Sequence, residues 1–490
     1  MRGFLSARRV GRVAGGGALA VGVLAAAPAS ASGPFDVYGA GARGSAMGGA
    51  MSSHASAFDA AYYNLAALTL GRSALGAGIV GTAGNQAIRL SDRPAGYDIP
   101  DLGESGPAIP GDQRLRQRDD TDGIGPSAIL YGGAVSNLGF ERLRLGAIAA
   151  IPLATSAEQQ SHFVDEREQY TTNQLHFELF GARFEHATLM LGAAYAVTDW
   201  LSLGAGLSYM PSTSLSNFVY VDSVVDLSEI DLNVGLSVPS SFRPNFGLLV
   251  TPTEGVRLAM TFRERQSLLL KGGNEIQVRG LQDNEEFPFV QPVDIRLMSS
   301  PRQFVWGASW SHRDLTLALD LTYSVWSDFR DTHNDDAGFS DILTPRVGAE
   351  YAFAEGHQAR VGFVYEKSPV PEQTGRTNYV DNDRIVGSIG TGHDWAFEAS
   401  TLSLEWYGQL HALVKRETVK ESGANADGTY PVCAPGVSTV CDEVPDDYID
   451  SVTGRPAASA QGLQTGNPGF PGFSSGGWRG VLGVEVSWKF

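Results

Sequence analysis

Apolar and polar residues alternate along most of this chain. The clearest run is 314–323, DLTLALDLTY. Leu315, Leu317, Leu319, Leu321 and Tyr323 fall on one face, and Asp314, Thr316, Ala318, Asp320 and Thr322 on the other. A strand, with its period of two, produces this split. Leu402, Leu404, Trp406 and Leu410 oppose Ser403, Glu405, Tyr407, Gln409 and His411 in the same way. At the C-terminus Leu482, Val484, Val486, Trp488 and Phe490 oppose Gly483, Glu485, Ser487 and Lys489. The pattern predicts strands near 72–90, 126–138, 141–155, 183–198, 200–212, 241–252, 254–270, 293–312, 313–326, 343–355, 357–369, 381–396, 398–417 and 477–490.

One alternating strand fits a soluble sandwich as well as a membrane barrel. The connections separate the two. Short turns are expected at 137–141, 198–200, 252–255, 312–314, 355–357 and near Phe397. Long polar segments are expected at 91–125, 156–182, 213–240, 271–292, 327–342, 370–380 and 418–476. Short turns at one end and long loops at the other, with an even strand number, is the arrangement of outer-membrane barrels, and it leaves both termini periplasmic. The expected fold class is all-β, a transmembrane antiparallel β-barrel of about 14 strands over residues 72–490.

The segment 33–70, GPFDVYGAGARGSAMGGAMSSHASAFDAAYYNLAALTL, breaks the pattern. It is rich in Gly, Ala and Ser, and its apolar residues follow neither strand nor helix period. Small residues permit close approach of backbone to backbone or to a ligand. Phe35, Tyr38, Met47, Met51, Phe58, Tyr62 and Tyr63 stand among them as larger contact groups. A hatch, 32–71, lying inside the wall as a plug, is the expectation.

Composition narrows the setting. Charged residues make up 18% of the chain, below the usual quarter, which fits a surface that partly faces lipid. Residues 1–31 have the form of a secretory signal: Arg2, Arg8, Arg9 and Arg12, an apolar stretch over 13–27, and Ala29-Ser30-Ala31 for cleavage after Ala31 or Ala29. Removing those four arginines and no acid takes the formal charge from −18 to −22. Nucleic acid is excluded as a partner, because phosphate binding needs a basic face. No later run reaches about 18 apolar residues, so a membrane-crossing helix is not expected. Cys433 and Cys441 favour a local disulfide in an oxidising compartment over free thiols or a metal site. No nucleophile, zinc or phosphate-cradling motif occurs, so neither an enzyme nor a cofactor is expected.

Three stretches resemble the outer-membrane transporters of long-chain fatty acids and aromatic hydrocarbons (FadL/TodX type). They are 41–68, GARGSAMGGAMSSHASAFDAAYYNLAAL; 318–330, ALDLTYSVWSDFR; and 361–384, VGFVYEKSPVPEQTGRTNYVDNDR, with a looser likeness over 239–265. The resemblance implies a bacterial outer-membrane barrel of fourteen strands with an N-terminal hatch. It also implies capture of a hydrophobic small molecule at the loops, a pocket beside the hatch, and lateral release through a kinked strand. Two loops would frame capture: 213–240, with Phe218, Val219, Tyr220, Val224, Val225 and Leu227, and 271–292, with Phe287, Phe289 and Val290. The kinked strand maps to the third, where Pro152 follows Ala149, Ala150 and Ile151. The family's Asn-Pro-Ala in the hatch reads Asn64-Leu65-Ala66 here, which frees φ and restores a backbone donor.

Passive carriage of hydrophobic molecules, fatty acid or hydrocarbon, by a monomer in contact with outer-membrane lipid and lipopolysaccharide is the leading expectation. Aromatic and Met side chains supply shape-tolerant apolar contact for such cargo. A diffusion porin for polar solutes, and a surface adhesin or phage receptor using 418–476, are the alternatives. Plainer readings stand beside the candidates. Phe58, Tyr62 and Tyr63 fit wall–plug packing. Arg263, Asp320, Arg346, Glu350, Arg360, Arg384 and Glu405 fit mutual pairing in a polar lumen, with Arg263 the candidate to neutralise a ligand carboxylate. Asp331, Asn334, Asp335, Asp336 and Asp341 fit a solvated acidic loop better than a calcium site. His393-Asp394 and His411 leave a barrel phospholipase open.

Overall fold

The computed structural model describes residues 34–91, 121–122, 126–153, 157–158, 183–184, 187–223, 228–279, 289–330, 336–374, 379–420 and 472–490. Its longer strands, in chain order, are β1 (Ala74–Leu90), β2 (Ser127–Ser136), β3 (Leu143–Pro152), β4 (Thr188–Ala196), β5 (Leu201–Met210), β6 (Thr213–Ser223), β7 (Ser228–Val238), β8 (Ser241–Thr253) and β9 (Val256–Arg263). They continue as β10 (Gln266–Arg279), β11 (Phe289–Ser300), β12 (Arg302–His312), β13 (Leu315–Val325), β14 (Ile342–Ala354), β15 (His357–Glu366), β16 (Arg384–Ala396), β17 (Thr401–Val419) and β18 (Gly472–Lys489).

Strands β1–β5, β8, β9 and β12–β18 pair in sequence order, all antiparallel. β1 pairs with β18 as well as with β2, and this closes fourteen strands into a barrel. The alternation read from sequence points apolar side chains outward. Leu317 and Leu319 are 43% and 42% exposed, whereas Asp320 is 1% exposed. An oily exterior around a polar lumen is the inverse of a soluble sandwich and suits lipid. Phe140, Trp200, Trp310, Tyr351, Phe353, Trp395, Phe397, Trp488 and Phe490 are exposed at the short-turn end, as the aromatic girdle of a barrel requires. Both ends of the barrel chain meet there: the Phe490 N–H donates to the Ser73 carbonyl at 2.8 Å.

Two expected strands divide. The run 254–270 leaves the barrel after Arg263 and resumes as β10. The run 293–312 is cut at Pro301 into β11 and β12, where proline has no N–H to continue the ladder. The expected loops 213–240 and 271–292 are largely strand: β6, β7, β10 and β11 form a separate four-stranded sheet at the long-loop end. β6 pairs with the next strand, β7, and β10 with β11, while β7 pairs with β10 across the two, Glu229 opposite Arg279 for one. A strand's partner in a distant hairpin is not visible in its own pattern. Pro152 also differs from expectation. It is the last residue of β3, opposite Ile129, and no register shift interrupts this strand. At a strand end its missing N–H removes no interior rung.

Residues 34–70 form short pieces separated by turns: α1 (Pro34–Tyr38), α2 (Ala42–Ala46), α3 (Ala60–Tyr63) and a 3-10 helix (Leu65–Leu70). Gly39, Gly41, Gly48 and Gly49 all have positive φ, and the breaks on either side of α2 use that freedom. The 3-10 helix packs on β3, β4, β5 and β8, and α2 packs on β15–β18. The segment therefore reaches across the lumen from one wall to the other. Nearly all of its side chains are buried, Met47, Met51 and Phe58 fully. Burying each of these contributes about 1.5–3 kcal/mol relative to exposure. Glycines on the inner wall make room for it. A Cβ on Gly348 would come 2.6 Å from the Met47 carbonyl oxygen, and one on Gly146 would come 2.5 Å from Leu68 Cδ2.

A smaller apolar core caps the long-loop end. Trp326, Phe329, Phe339, Ile342 and Val370 are buried together. Phe329 stacks on Phe339 at 4.4 Å, and Tyr379 meets both rings edge-on. Asp341 accepts from the Tyr323 hydroxyl at 2.6 Å and from the Ser327 N–H at 2.9 Å. Asp336 accepts from the Gly338 N–H at 2.9 Å. Both carboxylates thus serve local structure, while Asp331, Asn334 and Asp335 lie outside the described residues.

Candidate functional site

Strand parity turns every second wall residue inward, and these side chains reach the hatch from around the lumen. Arg43 on α2 makes a bidentate pair with Glu350 of β14, Nε to Oε2 and Nη2 to Oε1, both at 2.8 Å. Arg360 of β15, opposite Glu350 in register, reaches Glu350 Oε2 at 2.6 Å and Glu405 of β17 at 3.0 Å. The Asp320 carboxylate accepts from the N–H groups of Met51 and Ser52 and from Ser52 Oγ, at 3.0, 2.9 and 2.7 Å. Glu485 accepts from the Ala42 N–H at 2.8 Å and from the Tyr131 hydroxyl at 2.9 Å. Gln409 Nε2 donates to the carbonyls of Tyr38 and Ser45 at 3.1 and 2.9 Å. Charge-assisted bonds of this kind fix geometry as well as adding energy. Arg346 and Arg384 both reach Glu366, at 3.6 and 2.9 Å. Of the seven lumen charges expected to pair with one another, Arg346, Glu350, Arg360, Arg384 and Glu405 form ion pairs, whereas Asp320 binds hatch backbone and Ser52.

The hatch candidates come together. Phe35 lies 5.6 Å from the Tyr62 ring and 6.4 Å from the Tyr131 ring of β2. Tyr62 and Tyr63 meet edge-on at 5.0 Å, and Tyr38 meets His411 at 5.7 Å. Phe58 packs where Gly76 and Gly133 leave space, Met47 beside Gly348, and Leu65 beside Gly192 and Gly206. Asn64 Nδ2 donates to the carbonyls of Ser52 and Leu248 at 2.9 and 3.0 Å, and its Oδ1 accepts from Ala66 N–H at 3.0 Å. It is the N-cap of the 3-10 helix, with Leu65 as first helical residue. An N–H at that position has no partner within the helix, so Leu and Pro suit the same backbone. Arg263 donates from Nη1 to the Tyr62 carbonyl at 2.8 Å and from Nε to Gln303 at 3.0 Å, and it stacks over the Tyr62 ring at 4.5 Å. Nη1 thus serves the hatch and Nε the wall.

The inner wall is two-sided. From β1–β4 it presents Val80, Ile88, Ile129, Tyr131, Ile148 and Met190, against which Phe35 and Val37 pack in one apolar cluster. From β8 onward it is dominated by polar and charged groups such as Arg243, Asn245, Arg263, Asp320, Arg360 and Arg479. Phe218 and Tyr220 lie on β6 opposite Asn233 and Asp231, in the separate four-stranded sheet. Phe289 opens β11 opposite Ile276. Phe287, Cys433 and Cys441 lie outside the described residues.

Burial sets the charge states in the hatch. It pushes the His54 imidazolium down to about 3, Arg43 acting in the same direction, and neither ring nitrogen has a hydrogen-bond partner among the described residues. Burial pushes Asp59 up to about 6 against the opposing pull of Arg43. For Asp36 burial acts upward, yet Arg243 and Arg263 with the Tyr62 and Ser300 hydroxyls hold its carboxyl below the ordinary range. Asp36, Arg43 and Arg243 were not among the sequence candidates. Arg243 and Asn245 could have been found from parity, since they alternate with the exposed Phe242 and Phe246.

A family model described as outer membrane protein transport protein (OMPP1/FadL/TodX) matches residues 22–434. The chain belongs to this family. Among its relatives, the alkane uptake protein A of Marinobacter nauticus is 26% identical over 363 residues, 68% of this chain and 72% of that protein. The long-chain fatty acid transport protein of Escherichia coli O157:H7 is 24% identical over 173 residues, 32% of this chain and 39% of that one. The crystal structure of a Pseudomonas aeruginosa FadL homologue superposes with a TM-score of 0.58 at 16% identity, covering 94% of this chain and 99% of its own. The P. putida toluene transporter TodX gives 0.54 at 14% identity, covering 93% and 99%. These structural likenesses show the FadL/TodX barrel fold. Fold and family together make this an outer-membrane protein.

Proposed function

We propose that the protein is a passive carrier of hydrophobic small molecules, hydrocarbons or long-chain fatty acids, across the outer membrane. The observation that supports this best is a lumen occupied by residues 34–70 with an apolar wall along β1–β4. A water-filled bore does nothing for a greasy solute, since each CH₂ favours an apolar setting by about 0.8 kcal/mol. An apolar wall beside a displaceable plug offers such a solute a downhill path, and no energy source is needed. The relatives named for alkane uptake and fatty acid transport support the same class. Residues 1–31 act as the export signal, 32–71 as the hatch, and the barrel works as a monomer within lipid and lipopolysaccharide. Cargo leaves sideways past β3, whose lumen-facing side chains are small at Gly146 and Ala150 and whose outer end is marked by Pro152. The occupied lumen counts against the diffusion-porin reading. Uptake of labelled hexadecane, palmitate and toluene by a deletion strain, with and without the gene restored, tests the proposal. Gene-dependent uptake of at least one supports it, and equal uptake of all three overturns it.

A further inference from the structure

The short-turn end of β15 and β16 carries a pair of histidines outside the lumen. His357 opens β15 just after the turn at Gly356, and His393 lies directly opposite it on β16. Strand parity puts both on the lipid-facing side, His357 in step with the exposed Val361 and His393 with the exposed Ile389. The Asp394 N–H donates to the Gly356 carbonyl at 2.7 Å, which makes 356 and 394 a hydrogen-bonded pair. The next pair along, His357 with His393, is then non-hydrogen-bonded, the kind whose side chains stand closest. Their ring centroids are 5.0 Å apart, with the planes at 85°. Each ring has one nitrogen held and one left over. His357 Nδ1 is 2.7 Å from the Glu355 carbonyl oxygen, which can only accept, so Nδ1 carries the proton and Nε2 the lone pair. His393 Nε2 bonds Thr391 Oγ1 at 3.1 Å and leaves Nδ1 without a partner among the described residues. Asp394, the next residue, turns to the opposite face, where it accepts from Gln358 Nε2 at 3.1 Å and from Ser403 Oγ.

We propose that His357 and His393 form a site for a divalent transition-metal ion on the outer wall of the barrel, at its short-turn rim. With metal–nitrogen bonds of about 2.0–2.1 Å, two imidazoles on neighbouring coordination positions have ring centroids roughly 5 Å apart. That is the separation of this pair. The χ2 torsion of histidine is broad, so turning both free nitrogens onto one ion costs little. The held nitrogens supply the outer partners that orient a metal-binding imidazole: a backbone carbonyl for His357 and a hydroxyl for His393. Two neutral nitrogen donors select copper(II), nickel(II) or zinc(II) and pass over calcium and magnesium, which take oxygen ligands. No third His, Cys, Asp or Glu joins them among the described residues, so water fills the remaining positions. The bound ion ties β15 to β16 among the girdle aromatics, with Phe353 5.9 Å from the His357 ring and Trp395 6.5 Å from the His393 ring. The site is separated from the hatch by the barrel wall and is independent of the carrier reading.

Copper(II) binding to the tag-free full-length protein in detergent tests the site. Equilibrium dialysis counts the ions bound, and electron paramagnetic resonance reports the nitrogen ligands. Other histidines of the chain also take copper, so the comparison is between variants, each shown by heat-dependent gel migration to have an intact barrel. The expectation is that His357→Asn and His393→Asn each bind one ion fewer per barrel than the wild type and lose the same two-nitrogen signal. Excess calcium chloride does not displace that ion, whereas zinc chloride does. His312→Asn serves as the control: that girdle ring stacks on Trp310 at 5.7 Å and has Leu315, not a second histidine, across the strand. It leaves both the count and the signal unchanged. Retention of the ion by either His357→Asn or His393→Asn, or an equal loss in His312→Asn, overturns the site. So does displacement by calcium. Cargo uptake enters none of these outcomes, so the carrier reading stands or falls separately.

Discussion

Arg360 is 4% exposed and holds two carboxylates at once, Glu350 and Glu405, the first of which also carries Arg43 of the hatch. Removing one member of a buried ion network leaves the others uncompensated, and this costs about 3–5 kcal/mol. Arg360→Met is expected to lower barrel stability by that amount, read as the shift in chemical denaturation in detergent. His54 contributes to the response to acid. Its docked-state pKa of about 3 lies below the ordinary 6.5. Between those values the undocked hatch takes up a proton that the docked one refuses, so docking weakens as pH falls from 6.5 towards 3. Asp59, raised to about 6 from 3.8, works the other way: its docked form keeps a proton the undocked form loses, so docking weakens as pH rises across that window. Below about pH 4 the His54 effect still grows, and Asp36, whose carboxyl the docked hatch holds below the ordinary range, adds to it. Channel openings in planar bilayers should therefore become more frequent below pH 4, and His54→Leu should reduce that rise.

The fit of hatch to strand is a matter of volume. Gly348 on β14 lies directly beneath Met47, so Gly348→Leu has no room for its side chain. Overpacking of this kind costs about 1–3 kcal/mol, and it is expected to shift the hatch and raise single-channel conductance while leaving the barrel folded. At this scale the sequence was informative wherever one strand's own pattern sufficed. Leu315 to Tyr323 gave β13 with the correct inward face, and the crowding of Gly, Ala and Ser marked 33–70 as something other than wall. Pairing between distant hairpins was not legible. The partners of Phe218 and Tyr220 lie on the next strand, β7, but it is the pairing of β7 with β10 that joins the two hairpins into one sheet. The meeting of Asp36 with Ser300 was not legible either. Asp36 and Ser300 are 264 positions apart, and only closure of the barrel brings them together.

For the whole molecule, the outward apolar face and the inward charges are two results of one alternation repeated around fourteen strands. The hatch converts the resulting polar bore into a two-sided interior, anchored by charge on one side and packed by apolar residues on the other. A carrier needs this asymmetry: anchors that hold the plug against solute leak, and an oily side along which cargo can travel. Carriage without solute leak requires residues 34–70 to close the lumen at rest. Single-channel conductance of the intact protein in planar bilayers at neutral pH tests this most directly. The prediction is a closed channel with brief, small openings, and a large steady conductance to simple salts would contradict it.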